Sequence, residues 1–155
     1  MRAVVQRVSR AAVAVDGQTI GAIGTGLVVL LSVGAADDGA VARHLADRIA
    51  TLRIFPDANG RMNLDLAAAG GSVLVISQFT LHADTSRGHR PSFLHAGPAE
   101  LAERLCEVFR QALQERGLVV ATGRFGAHME VDLVNDGPVT LVLTSGEDAW
   151  PADAG

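Results

Sequence analysis

Apolar and polar residues alternate along the first part of the chain, and this alternation predicts short β-strands. Three segments show the pattern: residues 2–8, 11–15 and 19–23. A fourth strand-like segment, residues 27–33, is a continuous apolar run and is expected to be buried on both faces. Ser9-Arg10 separates the first two segments, and Asp16-Gly17 is typical of a hairpin turn. The short connections between the four segments predict an antiparallel meander.

Two later segments repeat their apolar residues every three to four positions, as amphipathic helices do. The first follows Asp37-Asp38, and its apolar stripe consists of Val41, Leu45, Ile49 and Leu52. The second follows Pro98 and stops at Gly117, and its predicted buried face consists of Leu101, Leu105, Val108 and Ala112. The pattern therefore predicts two helices.

Further strand-like runs complete the predicted fold. They are residues 53–55, 72–77, 118–122, 129–135 and 139–144, with Asp136-Gly137-Pro138 joining the last two. Many strands with two helices indicate the α+β class: a single domain with a mainly antiparallel, barrel-like β-sheet and two helices packed on it. We expect this domain to span residues 1–144, and residues 145–155 to form a poorly ordered tail.

Composition and charge exclude several classes of protein. The chain has 155 residues and a net charge of −4, which argues against coating of nucleic acid through a global positive field. Cys106 is the single cysteine, so no disulfide framework or cysteine-based zinc site is expected, and the five histidines propose no metal ligand set. No apolar stretch is long enough for a membrane span. The alternating N-terminus is unlike a secretory signal, so we expect a cytoplasmic protein. No phosphate-binding or metal-binding motif is complete, so no cofactor is expected.

The stretch from Ser72 to Leu81 is the strongest candidate for a functional site. It begins as an apolar, β-branched strand and ends in Ser77-Gln78-Phe79-Thr80, so it delivers hydrogen-bonding groups to the edge of the core. A polar, basic segment, residues 82–95, follows it. Serine and threonine are also common at strand ends, so this stretch alone leaves a site and an ordinary strand end open.

The hydroxyls of Ser77 and Thr80 suggest a serine or threonine esterase. Such an enzyme needs a base that a third group holds beside the nucleophile, and the histidines of the basic segment are candidates. However, Ser77 does not stand in the Gly-x-Ser-x-Gly turn that exposes a nucleophile in many hydrolases. The esterase therefore stays an alternative.

Three stretches together resemble the D-aminoacyl-tRNA deacylases. They are Ser77-Gln78-Phe79-Thr80-Leu81, Arg87-Gly88-His89-Arg90-Pro91-Ser92-Phe93 and Val134-Asn135-Asp136-Gly137-Pro138-Val139-Thr140. Gln6-Arg7-Val8 and Thr122-Gly123-Arg124-Phe125 also match, so the resemblance covers residues 1 to about 144. It implies a homodimeric enzyme that hydrolyses the ester between a D-amino acid and the terminal adenosine of tRNA, as quality control of translation.

The resemblance also implies roles for particular residues. A cis Gly137-Pro138 pair from one subunit is expected to reach the pocket around Ser77–Thr80 of the other and to exclude L-amino acids. Arg7 is expected to hold this wall by donating to main-chain carbonyls. The N–H groups of Phe79 and Thr80 are expected to stabilise the oxyanion, while Gln78 positions the ester or a water.

The substrate implied by the resemblance is aminoacyl-tRNA, bound by its 3′ adenosine and acceptor end. Phe125 and Met129 are expected to pack on the adenine, and Arg87 and Arg90 to contact phosphates. Thr80 is a candidate nucleophile, but no base is evident beside it, so a ribose hydroxyl of the tRNA is the alternative assistant. Glycyl-tRNA would pass a filter of this kind. A non-catalytic RNA-binding module is a third hypothesis, which the acidic net charge disfavours.

Overall fold

One long strand, β1 (Arg2–Val15), organises the fold. The computed structural model describes residues 1–86 and 88–146. One edge of β1 pairs antiparallel with two successive strands, β2 (Gln18–Ile23) and β3 (Gly26–Ser32). Its other edge pairs antiparallel with β8 (Glu130–Thr144). The strand is therefore bordered by backbone on both sides along most of its length.

The predicted meander is wrong, because β2 and β3 follow the same edge of β1 and do not pair with each other. Together they make one long hairpin that is interrupted at Gly24-Thr25. Ser9-Arg10 does not end a strand either. The pairing register with β8 shifts there, so the alternation of inward and outward residues restarts one position later.

The sheet continues through two parallel pairings. β6 (Ser72–Ser77) lies beside β3, and β7 (Val120–Thr122) lies beside β6, which gives the order β2-β1-β3-β6-β7. The sheet curls until its ends approach, since a Cβ added at Gly21 would lie 2.8 Å from the carbonyl oxygen of Thr122. A separate hairpin consists of β4 (Phe55–Pro56) and β5 (Met62–Leu64), and β5 was not predicted.

Both predicted helices are present, as α1 (Gly39–Ala50) and α2 (Ala99–Glu115). The Asp38 side chain caps α1 by accepting from the N–H of Val41 at 2.9 Å. The helices pack against each other, and the buried residues of α2 are Leu105, Phe109, Ala112 and Leu113. The buried face of α2 is therefore rotated about the helix axis relative to the predicted one, because Leu101 and Val108 are only partly buried.

Apolar side chains fill both faces of the curled sheet. The larger cluster lies between the sheet and the helices and includes Val29, Val75 and Phe109. The smaller cluster lies on the opposite face and includes Val28 and Leu74. This two-sided burial explains why β3 and β6 are apolar at nearly every position.

The predicted fold class is confirmed: two helices pack on a mixed, nearly closed sheet in a single domain. The predicted tail falls mostly outside the described residues, although the N–H of Ser145 donates to the carbonyl of Met1 at 3.0 Å. None of the helices in the described ranges is long and apolar enough to cross a membrane.

Candidate active site

A cleft of about 560 Å³ opens where the parallel strands β3 and β6 end. The carboxyl ends of neighbouring parallel strands meet at one edge of a sheet, so Ser32 and Ser77 come together there. Helix α2 and the segment that leads into β8 form the other walls. Residues from all of these elements line it, among them Ser32, Ser77, Gln78, Phe79, Phe93, Cys106, Phe125, His128 and Met129.

Two backbone amides, one at the cleft and one directly after it, lack acceptors among the described residues. Beyond β6 the chain forms a single 3-10 turn, Phe79–His82, and Gln78 anchors its start by donating its N–H to Leu31 at 2.7 Å. The first N–H groups of a helical turn have no preceding carbonyl within the turn. Among the described residues no acceptor pairs with the N–H of Phe79 or Thr80. These two donors are therefore available to a ligand.

In the part of the chain that the structure describes, the hydroxyls of Ser77 and Thr80 have no base beside them. The Gln78 side-chain amide donates to Thr80 Oγ1. Across residues 1–86 and 88–146, no imidazole or carboxylate forms a hydrogen bond with either hydroxyl. A hydroxyl without a base is a weak nucleophile. The local geometry therefore lacks the arrangement that the esterase alternative requires.

Phe125 and Met129 line the same cleft as Ser77, Gln78 and Phe79. Met129 packs over Gly123, where a Cβ would collide with the methionine sulfur. Phe79 is 57% exposed and meets Phe93 edge to face, with ring centroids 5.0 Å apart. One side of the cleft therefore offers aromatic and thioether surface beside the free amides.

Gly137-Pro138 lies in a bulge of β8, and the peptide bond between the two residues is cis, as the resemblance implied. Gln6 pairs with Thr140 and Val8 pairs with Asn135, so residues 136–139 face Arg7 alone. The predicted turn between two strands is therefore a bulge within one strand. Both Gly137 and Pro138 are exposed.

The side chain of Asn135 closes the base of this bulge. Its Oδ1 accepts from the N–H of Val139 at 3.0 Å, and its Nδ2 donates to Thr140 Oγ1 at 2.9 Å. Gln6 also donates to Thr140 Oγ1, at 3.2 Å. The two ends of the bulge are thus linked to each other and to β1.

Arg7 holds the bulge from beneath and is only 8% exposed. Its Nε donates to the carbonyl of Asp136 at 3.1 Å and lies 3.2 Å from Asp136 Oδ2. Its Nη1 donates to the carbonyl of Ile54 at 2.5 Å. The expectation that Arg7 donates to main-chain carbonyls therefore agrees with the geometry.

The predicted site residues form two groups within one chain. Ser77, Gln78 and Phe79 share the cleft with Phe125 and Met129, and Thr80 follows on the same turn. In the part of the chain that the structure describes, neither Arg7 nor Gly137-Pro138 lines that cleft. A single chain therefore does not bring the bulge and the free amides into one pocket.

The basic segment is a loop closed by Asp84 and Ser92, whose main chains exchange hydrogen bonds of 2.8 and 2.9 Å. Hydrogen bonds that Ser86 donates to the Asp84 carboxylate lower the pKa of Asp84, and electrostatic attraction from the nearby His95 lowers it further. His89, Arg90 and His95 are exposed, whereas His82 is buried and does not belong with them. Arg87 lies outside the described residues.

Cys106 lines the cleft but is a poor nucleophile, because burial raises the pKa of its thiol to about 11, with a further contribution from Glu103. We expect Cys106→Ala to retain hydrolytic activity. Iodoacetamide should alkylate the thiol of the wild-type protein far more slowly at pH 8 than free cysteine, since only the thiolate reacts. Rapid alkylation together with an inactive Cys106→Ala variant would contradict this assignment.

Comparison with protein families identifies this chain. The family described as D-Tyr-tRNA(Tyr) deacylase matches residues 4–144, which include the cleft and the bulge. The chain belongs to this family. The family resemblance noted in the sequence is thereby confirmed.

Relatives of the family align with the chain over nearly its whole length. It is 60% identical over 146 residues to a D-aminoacyl-tRNA deacylase of Anaeromyxobacter dehalogenans, covering 94% of this chain and 97% of the relative. It is 58% identical to the D-aminoacyl-tRNA deacylase of Roseiflexus castenholzii, covering 94% and 92%. A solved structure titled "c-Myc DNA Unwinding Element Binding Protein" superposes with a TM-score of 0.89 at 40% identity, covering 94% and 99%.

The sequence did not indicate that Ser32, which lines the cleft, pairs with the buried His82 behind it. Ser32 lines the cleft, and its hydroxyl lies 2.6 Å from Nδ1 of the buried His82. One weak indication of a role for Ser32 was present in the sequence, because Ser32 is the single polar residue in the apolar run 27–33. The polar, basic residues that follow His82 in the sequence suggested that its side chain is exposed, whereas it is buried.

Proposed function

We propose that this protein hydrolyses the ester bond of D-aminoacyl-tRNA and releases a free D-amino acid and tRNA. The observation that carries the proposal is its membership of the deacylase family, at 58–60% identity to relatives of that name. The free amides of Phe79 and Thr80 at the cleft support it. Such donors stabilise the negative charge that develops on an ester carbonyl oxygen.

The absence of a base beside Ser77 and Thr80 in the described residues favours a direct attack by water. Water adds to the carbonyl carbon, the ester C–O bond breaks, and the ribose oxygen leaves as a hydroxyl. We infer that another ribose hydroxyl of the tRNA assists, while the protein supplies geometry. In this mechanism Gln78 positions the water or the ester.

We further propose that Gly137-Pro138 is a wall that rejects L-amino acids. The enantiomers differ in where the side chain leaves Cα, so rigid backbone beside Cα excludes one enantiomer without reading the side chain. Three features support the role: the exposure of the bulge, its closure by Asn135 and its attachment to Arg7. Glycyl-tRNA has no side chain to exclude and should also be hydrolysed.

The wall acts on the cleft of a second copy, since the bulge does not line the cleft of its own chain among the described residues. A two-fold dimer would complete both sites at once. Val134 and Val142 of β8 are 40% and 60% exposed and would be covered in such a dimer. A monomer that keeps full selectivity for D-substrates in solution would overturn this arrangement.

Phe125 and Met129 would pack on the terminal adenine, as aromatic and thioether groups offer tolerant surfaces for bases. Arg90 would contact phosphates of the acceptor end. We propose the same role for Arg87, which is not among the described residues. Such an enzyme would work where aminoacyl-tRNA is used, in the cytoplasm.

Hydrolysis of matched D- and L-aminoacyl-tRNAs tests the proposal. We expect turnover of the D-form and little of the L-form. The variant Thr80→Ala should retain most of the activity, because it keeps the backbone N–H. Equal rates on both enantiomers, or no turnover of the D-form, would contradict the proposed function. An inactive, folded Thr80→Ala variant that binds substrate normally would favour the threonine esterase instead.

A further inference from the structure

The buried pair Ser32 and His82 lies beside the carbonyl of Phe79, in the peptide group that also carries the proposed oxyanion donor of Thr80. Ser32 Oγ is 2.6 Å from His82 Nδ1, and each residue is 2% exposed. Ser32 Oγ also lies 3.4 Å from the carbonyl oxygen of Phe79. Burying a hydroxyl and an imidazole costs free energy unless both are hydrogen-bonded, so the arrangement of their protons matters.

The hydroxyl of Ser32 carries one proton and lies within hydrogen-bond distance of two groups, His82 Nδ1 and the Phe79 carbonyl, so it can donate to one of them only. Both contacts are satisfied when the imidazole carries its proton on Nδ1. His82 then donates to Ser32 Oγ, and Ser32 donates to Phe79. Partners of this kind decide which ring nitrogen of a histidine is protonated.

The Phe79 carbonyl belongs to the same peptide group as the N–H of Thr80. In a trans peptide the C=O and N–H bonds point in opposite directions. Holding the carbonyl toward Ser32, on the core side, therefore directs the Thr80 N–H toward the open side, where Thr80 is exposed. A hydrogen bond to the carbonyl also polarises the peptide and strengthens its N–H as a donor.

We propose that Ser32 and His82 are positioning residues that orient and polarise the peptide group between Phe79 and Thr80. Their effect on catalysis rests on the proposed function, whereas the orientation of the peptide is a property of the free protein. Other bonds hold the turn itself: Gln78 donates to Leu31 at 2.7 Å, and Arg2 Nη1 donates to Leu81 at 3.0 Å. The variant Ser32→Ala should therefore fold.

Kinetics with D-aminoacyl-tRNA test the catalytic consequence. We expect Ser32→Ala to lower kcat by about 10- to 100-fold with little change in KM, because the aligned N–H acts on charge in the transition state. His82→Asn, whose amide can donate to Ser32, should retain more activity than His82→Leu. Ser72→Ala is the matched control on β6 and should leave kcat unchanged. A wild-type kcat in Ser32→Ala, or a loss confined to KM, would overturn the proposal.

A nuclear magnetic resonance measurement on the free protein separates the two proposals. The chemical shift of an amide nitrogen responds to hydrogen bonding at the preceding carbonyl. Ser32→Ala should shift the Thr80 amide nitrogen, whereas Ser72→Ala should not. An unmoved Thr80 resonance overturns the positioning role whatever the kinetics show. If the wild-type protein fails to hydrolyse D-aminoacyl-tRNA, the proposed function fails, while the Thr80 shift still decides the orientation.

Discussion

Replacing Gly137 by alanine should reduce the hydrolysis of D-aminoacyl-tRNA by about 100-fold or more, because displacements near 1 Å at a reacting centre have effects of this size. Gly137 has a φ of +139°, which side chains rarely adopt. A Cβ there would lie 2.6 Å from Val139 Cγ2, 2.9 Å from the Val139 nitrogen and 3.2 Å from Arg7 Nη2. The bulge must move to accept it, so the wall would no longer match the substrate.

The control is Gly17→Ala in the turn between β1 and β2. Gly17 also has a positive φ, +76°, but a Cβ there meets nothing within 4 Å. This variant should lose about 1–2 kcal/mol of stability through backbone strain alone and keep its activity. Equal activity of the Gly137 and Gly17 variants would contradict the proposed wall.

Mixing two defective proteins would test whether the site is shared. Ala127→Trp fills the cleft, which Ala127 lines, and Gly137→Ala damages only the bulge. If the bulge serves the partner's cleft, a mixed dimer contains one intact site, and a random equal mixture should recover roughly a quarter of wild-type activity. If each chain builds its own site, the mixture should stay inactive.

Replacing Arg7 by methionine should lower the free energy of unfolding by about 2–3 kcal/mol, since buried carbonyls that lose their donors cost about this much. The variant loses the bonds to Asp136 and to the buried carbonyl of Ile54. Activity on D-substrates should fall by about 10- to 100-fold as the bulge loosens. Urea denaturation and initial rates would measure the two effects.

Arg10 provides a matched control on the same strand. It also pairs with an aspartate of β8, Asp132, at 2.5 Å, but both side chains are more than 60% exposed. Arg10→Met should therefore cost less than about 1 kcal/mol and spare the activity. Asp136→Asn removes the ion pair of Arg7 and keeps the carbonyl bond. If it were as damaging as Arg7→Met, the ion pair rather than the carbonyl contacts would hold the bulge.

The helices and most strands could be predicted because their determinants are local. The helix α1 begins after Asp37-Asp38, as predicted, and Gly117 follows α2 with a φ of +80°. Alternation located β2, and a continuous apolar run located β3, each within one residue at both ends. Propensity, capping and periodicity act over a few residues, so a linear sequence displays them.

Strand pairing could not be predicted in the same way. Ser9-Arg10 looks like a strand end because the alternation breaks there, yet β1 continues through it with a shifted register. The pairing of β1 with β8 joins residues more than a hundred positions apart. No local pattern specifies which distant segment covers an edge.

The candidate site was predicted in part for the same reason. Ser77–Thr80 was suggested by a polar end on an apolar strand, whereas the role of Gly137-Pro138 came from family resemblance. The pairing of Ser32 with His82 could not be predicted, because the two residues are 50 positions apart in the sequence and only the fold brings them together. A lone serine in an apolar strand indicates little until its partner is known.

The bulge of β8 also limits the insertions and deletions that the chain can accept. Beyond residues 136–139 the strand resumes its pairing, and Val139 and Leu143 point into the helix-side core. Losing one residue from the bulge would turn the following side chains to the opposite face, because successive residues alternate. Gaining or losing two would preserve the facing. The tip of the bulge is thus exposed to solvent, while the packing of Val139 and Leu143 in the core restricts how many residues the bulge can contain.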